Sequence, residues 1–168
     1  MIASPATPDA LFAYLDRLGI HHSTVWHAAV YTVEEGRDLK ATIPGGHTKN
    51  LFMTDKDGAI VLISAHADSQ LRLNQLHKRV GTRRLSFGSP ELMGDLLGVV
   101  PGSVTAFALM NDTAKRVKFI ADAALMAFDT VNFHPLVNTA TTAIARDDLV
   151  RFADATGHGV DVVDFGDL

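Results

Sequence analysis

The sequence predicts an α/β domain of the α+β kind, in which helices pack around a mixed central sheet. Helical and strand patterns alternate along the 168 residues, but a hairpin and strands in succession interrupt that alternation. A regular doubly wound sheet would not contain these interruptions. The length lies in the usual range of roughly 100–200 residues per domain. We therefore expect residues 1–168 to form a single domain.

The first part of the chain predicts two helices with a strand between them. Thr7-Pro8-Asp9 is typical of a helix start, with a capping threonine, a proline at the first helical position and an acid in the first turn. Residues 22–27 alternate between polar and apolar side chains, as a strand does. Thr32 and Glu35 have the spacing of a capping box, which predicts a short helix that ends before Lys40.

The middle of the chain predicts a hairpin followed by a helix. Residues 51–54 and 59–65 are apolar runs joined by Asp55-Lys56-Asp57-Gly58. An Asp-Gly pair between two such runs is a strong hairpin signal. Asp68 is expected to cap a helix that continues to about Val80.

The remaining predictions follow from the same signals. His134 precedes a proline and is biased away from helical backbone angles, so residues 132–135 are expected to be non-helical. The other predicted elements are a short strand at 84–87, a helix from Ser89-Pro90-Glu91 to Gly98, strands at 104–110, 117–122, 138–144 and 160–165, and a helix that starts near Asp147.

Composition excludes several classes of protein. Hydrophobic residues make up 47% of the chain and charged residues 20%, which is typical of a globular domain. The absence of cysteine excludes disulfides, thiolate zinc sites and cysteine nucleophiles. The net charge of −4 argues against nonspecific coating of nucleic acid, including DNA. No apolar run approaches the roughly 18 residues of a membrane span, and no secretory signal begins the chain. The expected location is the cytoplasm.

Two groups of basic residues stand out against this acidic background. Each fits either a solvated helix end or turn, or a surface that faces RNA. The groups are Lys78, Arg79, Arg83 and Arg84, and Lys115, Arg116 and Lys118.

Common catalytic signatures are missing. The eight histidines include no H-E-x-x-H pair, and there is no G-x-S-x-G elbow, phosphate loop or dinucleotide fingerprint. The sequence therefore predicts neither a metal nor a cofactor. Polar residues in apolar surroundings remain at Gly46–Asn50, Gly102–Ala106 and Asn132–Asn138. Loops at one end of a sheet carry function, and Lys49 in the first patch is suited to a phosphate or carboxylate.

Together these patches resemble the YbaK-like family of aminoacyl-tRNA deacylases, which includes the editing domain inserted in bacterial prolyl-tRNA synthetases. The likeness extends from about Pro8 to Phe165 and implies the editing-domain fold. The matching residues are His47-Thr48-Lys49-Asn50-Leu51-Phe52, Pro101-Gly102-Ser103-Val104-Thr105 with Asn111-Asp112, and Asn132-Phe133-His134-Pro135 with Asn138-Thr139.

The resemblance implies a hydrolase that acts in trans on mischarged tRNA(Pro), most similar to the branch that removes alanine, with prolyl-tRNA synthetase as a further partner. Lys49 and Gly102 fall on the positions implied to be catalytic. His134 falls on the histidine linked to pocket size and substrate choice. The other implied substrate-binding residues are His47, Thr48, Asn50, Ser103, Val104, Thr105 and Ala106.

One departure from the family pattern leaves alternatives open. The family's glycine loop usually ends in proline, as G-x-x-x-P, but the fifth position here is Ala106. This change puts the shape of the amino-acid pocket in question. The alternatives are a deacylase of the same family that removes cysteine, and a module that binds tRNA or a synthetase without catalysis.

Overall fold

The structure is built around a mixed sheet. The computed structural model describes residues 4–30 and 32–166. Its strands are β1 (His22–Trp26), β2 (Gly46–Thr54), β3 (Ile60–His66), β4 (Ser86–Phe87), β5 (Lys118–Asp122), β6 (Thr130–Phe133), β7 (Ala140–Ala145) and β8 (Asp161–Val163). The order across the sheet is β1-β7-β6-β2-β3-β5-β8, and β4 pairs with the second half of β2.

Strand directions confirm the predicted mixed sheet. β2 pairs antiparallel with β3 through the predicted hairpin, and parallel with β6 at its other edge. β5 runs parallel to both β3 and β8, whereas β7 is antiparallel to β1 and β6. The parallel pairs join segments that are distant in sequence, so the sheet brings widely separated motifs together.

Among the α-helices of the described residues, those capped by Thr7, Thr32 and Ser89 begin where the capping signals predict. The α-helices of this part of the chain are α1 (Pro8–Arg17), α2 (Val33–Thr42), α3 (His77–Val80), α4 (Pro90–Leu97) and α5 (Arg146–Ala155). The side-chain oxygens of Thr7, Thr32 and Ser89 accept hydrogen bonds from backbone N–H groups in the first turns of α1, α2 and α4. No helix within residues 4–30 and 32–166 is both long and apolar enough to cross a bilayer.

Each face of the sheet has its own apolar cluster. The larger cluster packs α1, α4 and α5 against alternate residues of the sheet, including Phe52, Leu62 and Phe133. The smaller one packs α3 against the opposite face, where Met53 and Ile63 point. This two-sided burial explains why β3 is an almost continuous apolar run.

Asn111 and Asp112, which belong to one of the matched motifs, hold the fold together. The side chain of Asn111 accepts from the N–H of Ala6 and donates to the carbonyl of Leu97. The buried carboxylate of Asp112 accepts from the N–H of Val117 at 2.8 Å and lies 2.8 Å from Nε2 of His158. These contacts tie distant loops to one another and assign the pair a structural role.

The strand predicted at 104–110 is wrong. Residues Ala106–Asn111 form a 3₁₀-helix, and the hydroxyl of Thr105 accepts from the N–H of Phe107 at its start. The first four residues of the turn are at most 1% exposed. A short apolar run that is buried on every side carries no periodicity that separates a strand from a helix.

Other boundaries also differ from the predictions, and three of the differences concern the site or its surroundings. The helix expected from Asp68 is replaced by a 3₁₀ turn at Leu73–Gln75 and the short α3. α2 continues past Lys40 to Thr42. β2 begins at Gly46, so the polar residues His47 to Asn50 lie within the strand rather than in a loop before it.

Two glycines provide a matched test of the packing. A Cβ on Gly88 would lie 2.5 Å from two ring carbons of the buried Phe52, so Gly88→Ala is expected to destabilise the protein by about 1–3 kcal/mol through overpacking. A Cβ on Gly94, inside α4, meets nothing within 4 Å. Gly94→Ala should therefore stabilise the helix by roughly 0.5–1 kcal/mol. Urea unfolding of both variants measures the difference, and equal midpoints would refute this account of Gly88.

Candidate functional site

Two of the motifs meet where β2 and β6 run side by side. Gly46 is paired with Val131, and His47 with Asn132. A Cβ on Gly46 would lie 2.9 Å from the ring of Phe128, so only glycine allows this close approach. The backbone at Gly45 has φ +101°, which other residues rarely adopt. The two glycines therefore position the start of β2 beside the strand that leads to His134.

A cavity of about 140 Å³ lies between this part of the sheet and α2. Its lining mixes apolar side chains with a few polar groups, as ligand pockets do. The lining residues are Val30, Gly36, Leu39, Lys40, His47, Thr48, Asn132, Phe133, His134 and Thr141. We refer to this cavity as the inner pocket. It contains three of the predicted substrate-binding residues, namely His47, Thr48 and His134.

His134 is held as a neutral ring at one wall of the inner pocket. Its Nδ1 lies 3.0 Å from the carbonyl oxygen of Ala140, which accepts only from a protonated nitrogen. Burial lowers the pKa of His134, although the hydrogen bond to Ala140 raises it, and the nearby His27 lowers it further. The neutral ring therefore has its proton on Nδ1 and a lone pair on Nε2.

The backbone after His134 is strained. Leu136 has φ +70°, in the left-handed region, and is only 7% exposed. This conformation costs a non-glycine residue about 1–2 kcal/mol. Such strain persists where surrounding packing enforces it and clusters at functional sites. Its position two residues after His134 supports the assignment of a site to this loop.

His47 forms the wall between α2 and the end of β3. Its Nε2 lies 2.8 Å from the carbonyl oxygen of Ile43. Burial lowers the pKa of His47 and the hydrogen bond to Ile43 raises it, while the charge of Lys40 lowers it and that of Asp68 raises it. His47 thus lies between a cation on α2 and an anion on the loop that follows β3.

Thr48 and Asn50 join the neighbouring strands through side-chain hydrogen bonds. The hydroxyl of Thr48 donates to the backbone oxygen of Asn132 at 2.7 Å. The amide of Asn50 donates to Thr48, and its oxygen accepts from Ser64 at 2.5 Å. Both residues point to the face opposite His47 and Lys49, because side chains alternate along a strand.

Lys49 points to the same face as His47 and contacts the loop after β3. Its ammonium group donates to the backbone oxygen of Ser69. The hydroxyl of Ser69 donates to the buried carboxylate of Asp122 at 2.6 Å. Lys49 does not line the inner pocket, but it lies one residue beyond Thr48, which does.

An open groove of about 650 Å³ continues from the inner pocket along α2. It shares Val30, Gly36 and Lys40 with the pocket, and we call it the outer groove. Its other lining residues are Thr32, Arg37, Ala67 and Asp68. Within the described parts of the chain, neither Arg37 nor Lys40 forms an ion pair with a carboxylate, so the groove presents two cations to a ligand.

The Gly102 loop lies beside the loop that contains His134 but does not line the inner pocket. Gly102 has φ +92°, and a Cβ there would lie 3.6 Å from Nδ2 of Asn138. Ser103 and Thr105 are buried, and the N–H of Ser103 donates to the carbonyl of Val100. In the described structure the N–H groups of Gly102, Val104 and Thr105 have no such partner.

Ala106, which replaces the family's proline, is the first residue of the 3₁₀-helix. Proline suits the first position of a helix because the N–H of that position has no partner inside the helix. Ala106 is fully buried and Thr105 still caps the turn. The loop therefore keeps its capped turn without the proline ring.

The basic groups noted in the sequence are mostly engaged in local contacts. Arg79 donates to the carbonyl of Asp164, Arg83 pairs with Asp57, and Lys118 lies 3.5 Å from Asp161. These contacts lie near the end of β5 opposite Asp122, away from the inner pocket. They favour the interpretation as solvated surface for these residues. No group of three or more His, Asp or Glu side chains among the described residues is arranged to hold a metal ion.

The sequence did not identify the contribution of α2 to the site. Gly36, Leu39 and Lys40 line the inner pocket, yet α2 contains few apolar residues and resembles a solvated helix. The available signal was Gly36 itself, because glycine in a helix interior is unfavourable unless close packing or function requires it.

Comparison with known proteins shows the family of this chain. A family model, the aminoacyl-tRNA editing domain, matches residues 27–152. Prolyl-tRNA synthetase associated domain-containing protein 1 of Danio rerio is 34% identical over 154 residues, which cover 90% of this chain and 84% of that protein. The prolyl-tRNA editing protein ProX of Acetoanaerobium sticklandii is 31% identical over 151 residues, with coverages of 89% and 92%.

A more distant relative and a solved structure extend the comparison. The multifunctional Ser/Thr-tRNA deacylase ProXp-y of Escherichia coli is 28% identical over 157 residues, covering 91% of this chain and 92% of that protein. A crystal structure described as a candidate trans-editing enzyme for prolyl tRNA synthetase has a TM-score of 0.70 at 19% identity and covers 97% of this chain and all of its own. At that identity the likeness is one of fold. The chain belongs to the aminoacyl-tRNA editing domain family, as its motifs predicted.

Proposed function

We propose that this protein is a trans-acting deacylase that hydrolyses mischarged tRNA(Pro), with Ala-tRNA(Pro) as its main substrate. The observation that carries the proposal is the inner pocket of about 140 Å³, which lies where two motifs of an editing-domain chain meet. A cavity of this size accommodates a small aminoacyl group.

Such a pocket would serve to distinguish amino acids by size. Alanine is smaller than proline, and a synthetase pocket rejects a ligand that lacks a methylene by only about 1–3 kcal/mol. A second pocket that admits alanine but excludes proline supplies the missing discrimination. Val30 and Leu39 provide apolar walls for the methyl group, and α2 limits the space above it.

The outer groove provides room for the RNA end of the substrate. It opens directly from the inner pocket, so an aminoacyl group in the pocket would place the terminal nucleotide in the groove. Arg37 and Lys40 supply positive charge for its phosphate, which is the usual basis of RNA affinity. The relatives named for prolyl-tRNA support tRNA as the ligand and prolyl-tRNA synthetase as a source of it.

The reaction needs no protein nucleophile, because the aminoacyl ester is already activated. A water oxygen attacks the ester carbonyl, oriented by a hydroxyl of the terminal ribose, and the bond to the ribose oxygen breaks to release the amino acid. We assign the free N–H groups of Gly102, Val104 and Thr105 to the developing oxyanion. Lys49 holds the 3′-terminal phosphate or the ester, and neutral His134 shapes the pocket.

The name of the Escherichia coli relative favours serine and threonine esters as a second candidate substrate class. The inner pocket carries the hydroxyl group of Thr141, which lies 2.8 Å from Nε2 of His27 and could also bond a substrate hydroxyl. Cysteine is a further small amino acid of suitable size.

A panel of esters on tRNA(Pro) tests the proposal and its alternatives. Alanyl-tRNA(Pro) should be hydrolysed fastest, and prolyl-tRNA(Pro) should survive because an editing enzyme must spare the correctly charged ester. Release of labelled amino acid from the alanyl, seryl, threonyl, cysteinyl and prolyl esters is the measurement. Faster loss of seryl or threonyl ester would reassign the substrate, and loss of none would favour a binding module.

Lys49→Ala tests the assigned role of the lysine. Removing one preorganised group that binds the reacting ester typically lowers the rate by about 100- to 1,000-fold. The fold should persist, because within the described residues the ammonium group donates to the carbonyl of Ser69 alone. Single-turnover deacylation and circular dichroism measure the two effects. Lys56→Ala, on the hairpin between β2 and β3, is the matched control. An active Lys49→Ala enzyme would disprove the assignment.

Protonation of the pocket histidines should destabilise the fold. Burial lowers the folded-state pKa of His134 and His47 below the unfolded value of 6.5, so the unfolded chain binds more protons as pH falls below 6.5. Stability is therefore full above pH 6.5 and declines towards about pH 5, where carboxylates begin to titrate. Urea unfolding across this range should show a flatter pH dependence for the double variant His47→Gln/His134→Gln. An unchanged dependence would contradict the neutral state of these rings.

A further inference from the structure

One buried polar atom in the inner pocket lacks a hydrogen-bond partner. Asn132 is 2% exposed, and its Oδ1 accepts no hydrogen bond from any group in residues 4–30 and 32–166. A buried acceptor without a partner destabilises a protein by roughly 1–3 kcal/mol. Such an atom in the lining of a pocket is therefore expected to have a partner in the ligand.

The hydrogen bonds made by Nδ2 fix the orientation of the side-chain amide of Asn132. Nδ2 of Asn132 donates to the carbonyl oxygen of Pro44 at 3.0 Å and to that of Gly46 at 3.3 Å. Exchanging the nitrogen and oxygen would place Oδ1 against two other oxygens, so the assignment is fixed by the hydrogen bonds. The Asn132 side chain lies on the same face of the sheet as its pairing partner His47, and both residues line the inner pocket.

The rest of the pocket explains what kind of group Oδ1 would bind. A partner must be a donor, because Oδ1 is only an acceptor. Nε2 of the neutral His134 has a lone pair and no partner within the described chain, so the pocket offers a second acceptor. The pocket has no carboxylate among its lining residues, and its one lysine, Lys40, also borders the outer groove.

We propose that Oδ1 of Asn132 accepts a hydrogen bond from the α-ammonium group of the aminoacyl ester and so makes Asn132 a specificity-determining residue. This inference rests on the proposed deacylase function. An α-ammonium group is the donor that every aminoacyl ester carries beside its carbonyl. Recognition of it distinguishes an aminoacyl group from a simple acyl group of the same size, which the apolar walls alone cannot do.

The burial of Oδ1 means that a ligand can bind it only after a change in the pocket. Oδ1 has almost no surface accessible to water in the unliganded protein. A ligand therefore reaches it only when a lining side chain rotates aside. Leu39 and Lys40 on α2 are long, flexible side chains of the lining, and we expect them to supply that movement.

The test compares two esters that differ only in this group. Alanyl-tRNA(Pro) carries the α-ammonium, and propionyl-tRNA(Pro) has a hydrogen in its place. For each enzyme, kcat/KM for both esters is divided by the spontaneous hydrolysis rate. The wild type should prefer the alanyl ester by roughly 10- to 100-fold, the range of a hydrogen bond to a charged group. Asn132→Ala should lose most of this preference.

Because the readout is a ratio within one enzyme preparation, partial unfolding of a variant cancels. Asn132→Asp keeps an acceptor and should retain the preference even if the loss of the Nδ2 bonds lowers stability. Thr141→Val alters the same pocket without touching Oδ1 and should change both rates by a similar factor. A wild-type ratio in Asn132→Ala, or loss of the preference in Thr141→Val alone, would overturn the proposal.

A binding measurement separates this inference from the proposed function. 3′-Alanylamido-3′-deoxyadenosine and its propionyl counterpart resist hydrolysis, so calorimetry reports their affinities whether or not the protein is an enzyme. Tighter binding of the alanyl compound that depends on Asn132 supports the inference even without deacylation. Deacylation of Ala-tRNA(Pro) with equal affinity for the two compounds would preserve the proposed function and refute the role of Asn132.

Discussion

The parallel pairing of β2 with β6 is the constraint on which the site depends. It joins segments about 85 residues apart and places His47 beside Asn132. The start of β2 therefore lies beside the strand that leads to His134. Glycine at positions 45 and 46 permits the close approach, and the Asn132 amide bonds to both sides of the turn at Pro44. Neither strand could form the pocket alone, because each supplies only one wall of it.

Sequence signals predicted those parts of the fold that local chemistry determines. Thr7, Thr32 and Ser89 cap helices because each places an oxygen next to unpaired N–H groups, and this geometry requires no tertiary contact. The segment at 104–110 could not be predicted in the same way, since uniform burial removes its periodicity. The motif residues of β2 and β6 were identified by resemblance, but the wall formed by α2 depends on packing that its polar sequence does not indicate.

The site separates two kinds of electrostatic environment. Inside, the histidines are neutral because burial disfavours their charged forms, so the pocket offers lone pairs and apolar surface. Outside, the exposed side chains of Arg37 and Lys40 line the rim of the groove. Such a gradient is suited to a ligand whose one end is a small ester and whose other end is a phosphate. Lys49 lies on β2 one residue beyond the pocket residue Thr48, and its ammonium group donates to the carbonyl of Ser69, next to the groove residue Asp68.

Several local costs of stability converge on this region. Leu136 adopts a left-handed conformation, and the acceptor of Asn132 is unsatisfied. Gly36 lies inside a helix although its φ is ordinary and a Cβ would meet only Val30 at 3.5 Å. Each feature costs on the order of 1 kcal/mol, and none is required by the topology. Only the cost at Asn132 can be recovered by a hydrogen bond from a ligand. The costs at Gly36 and Leu136 are the same with and without a bound ligand. They are therefore better explained by the shape that these two residues give the pocket.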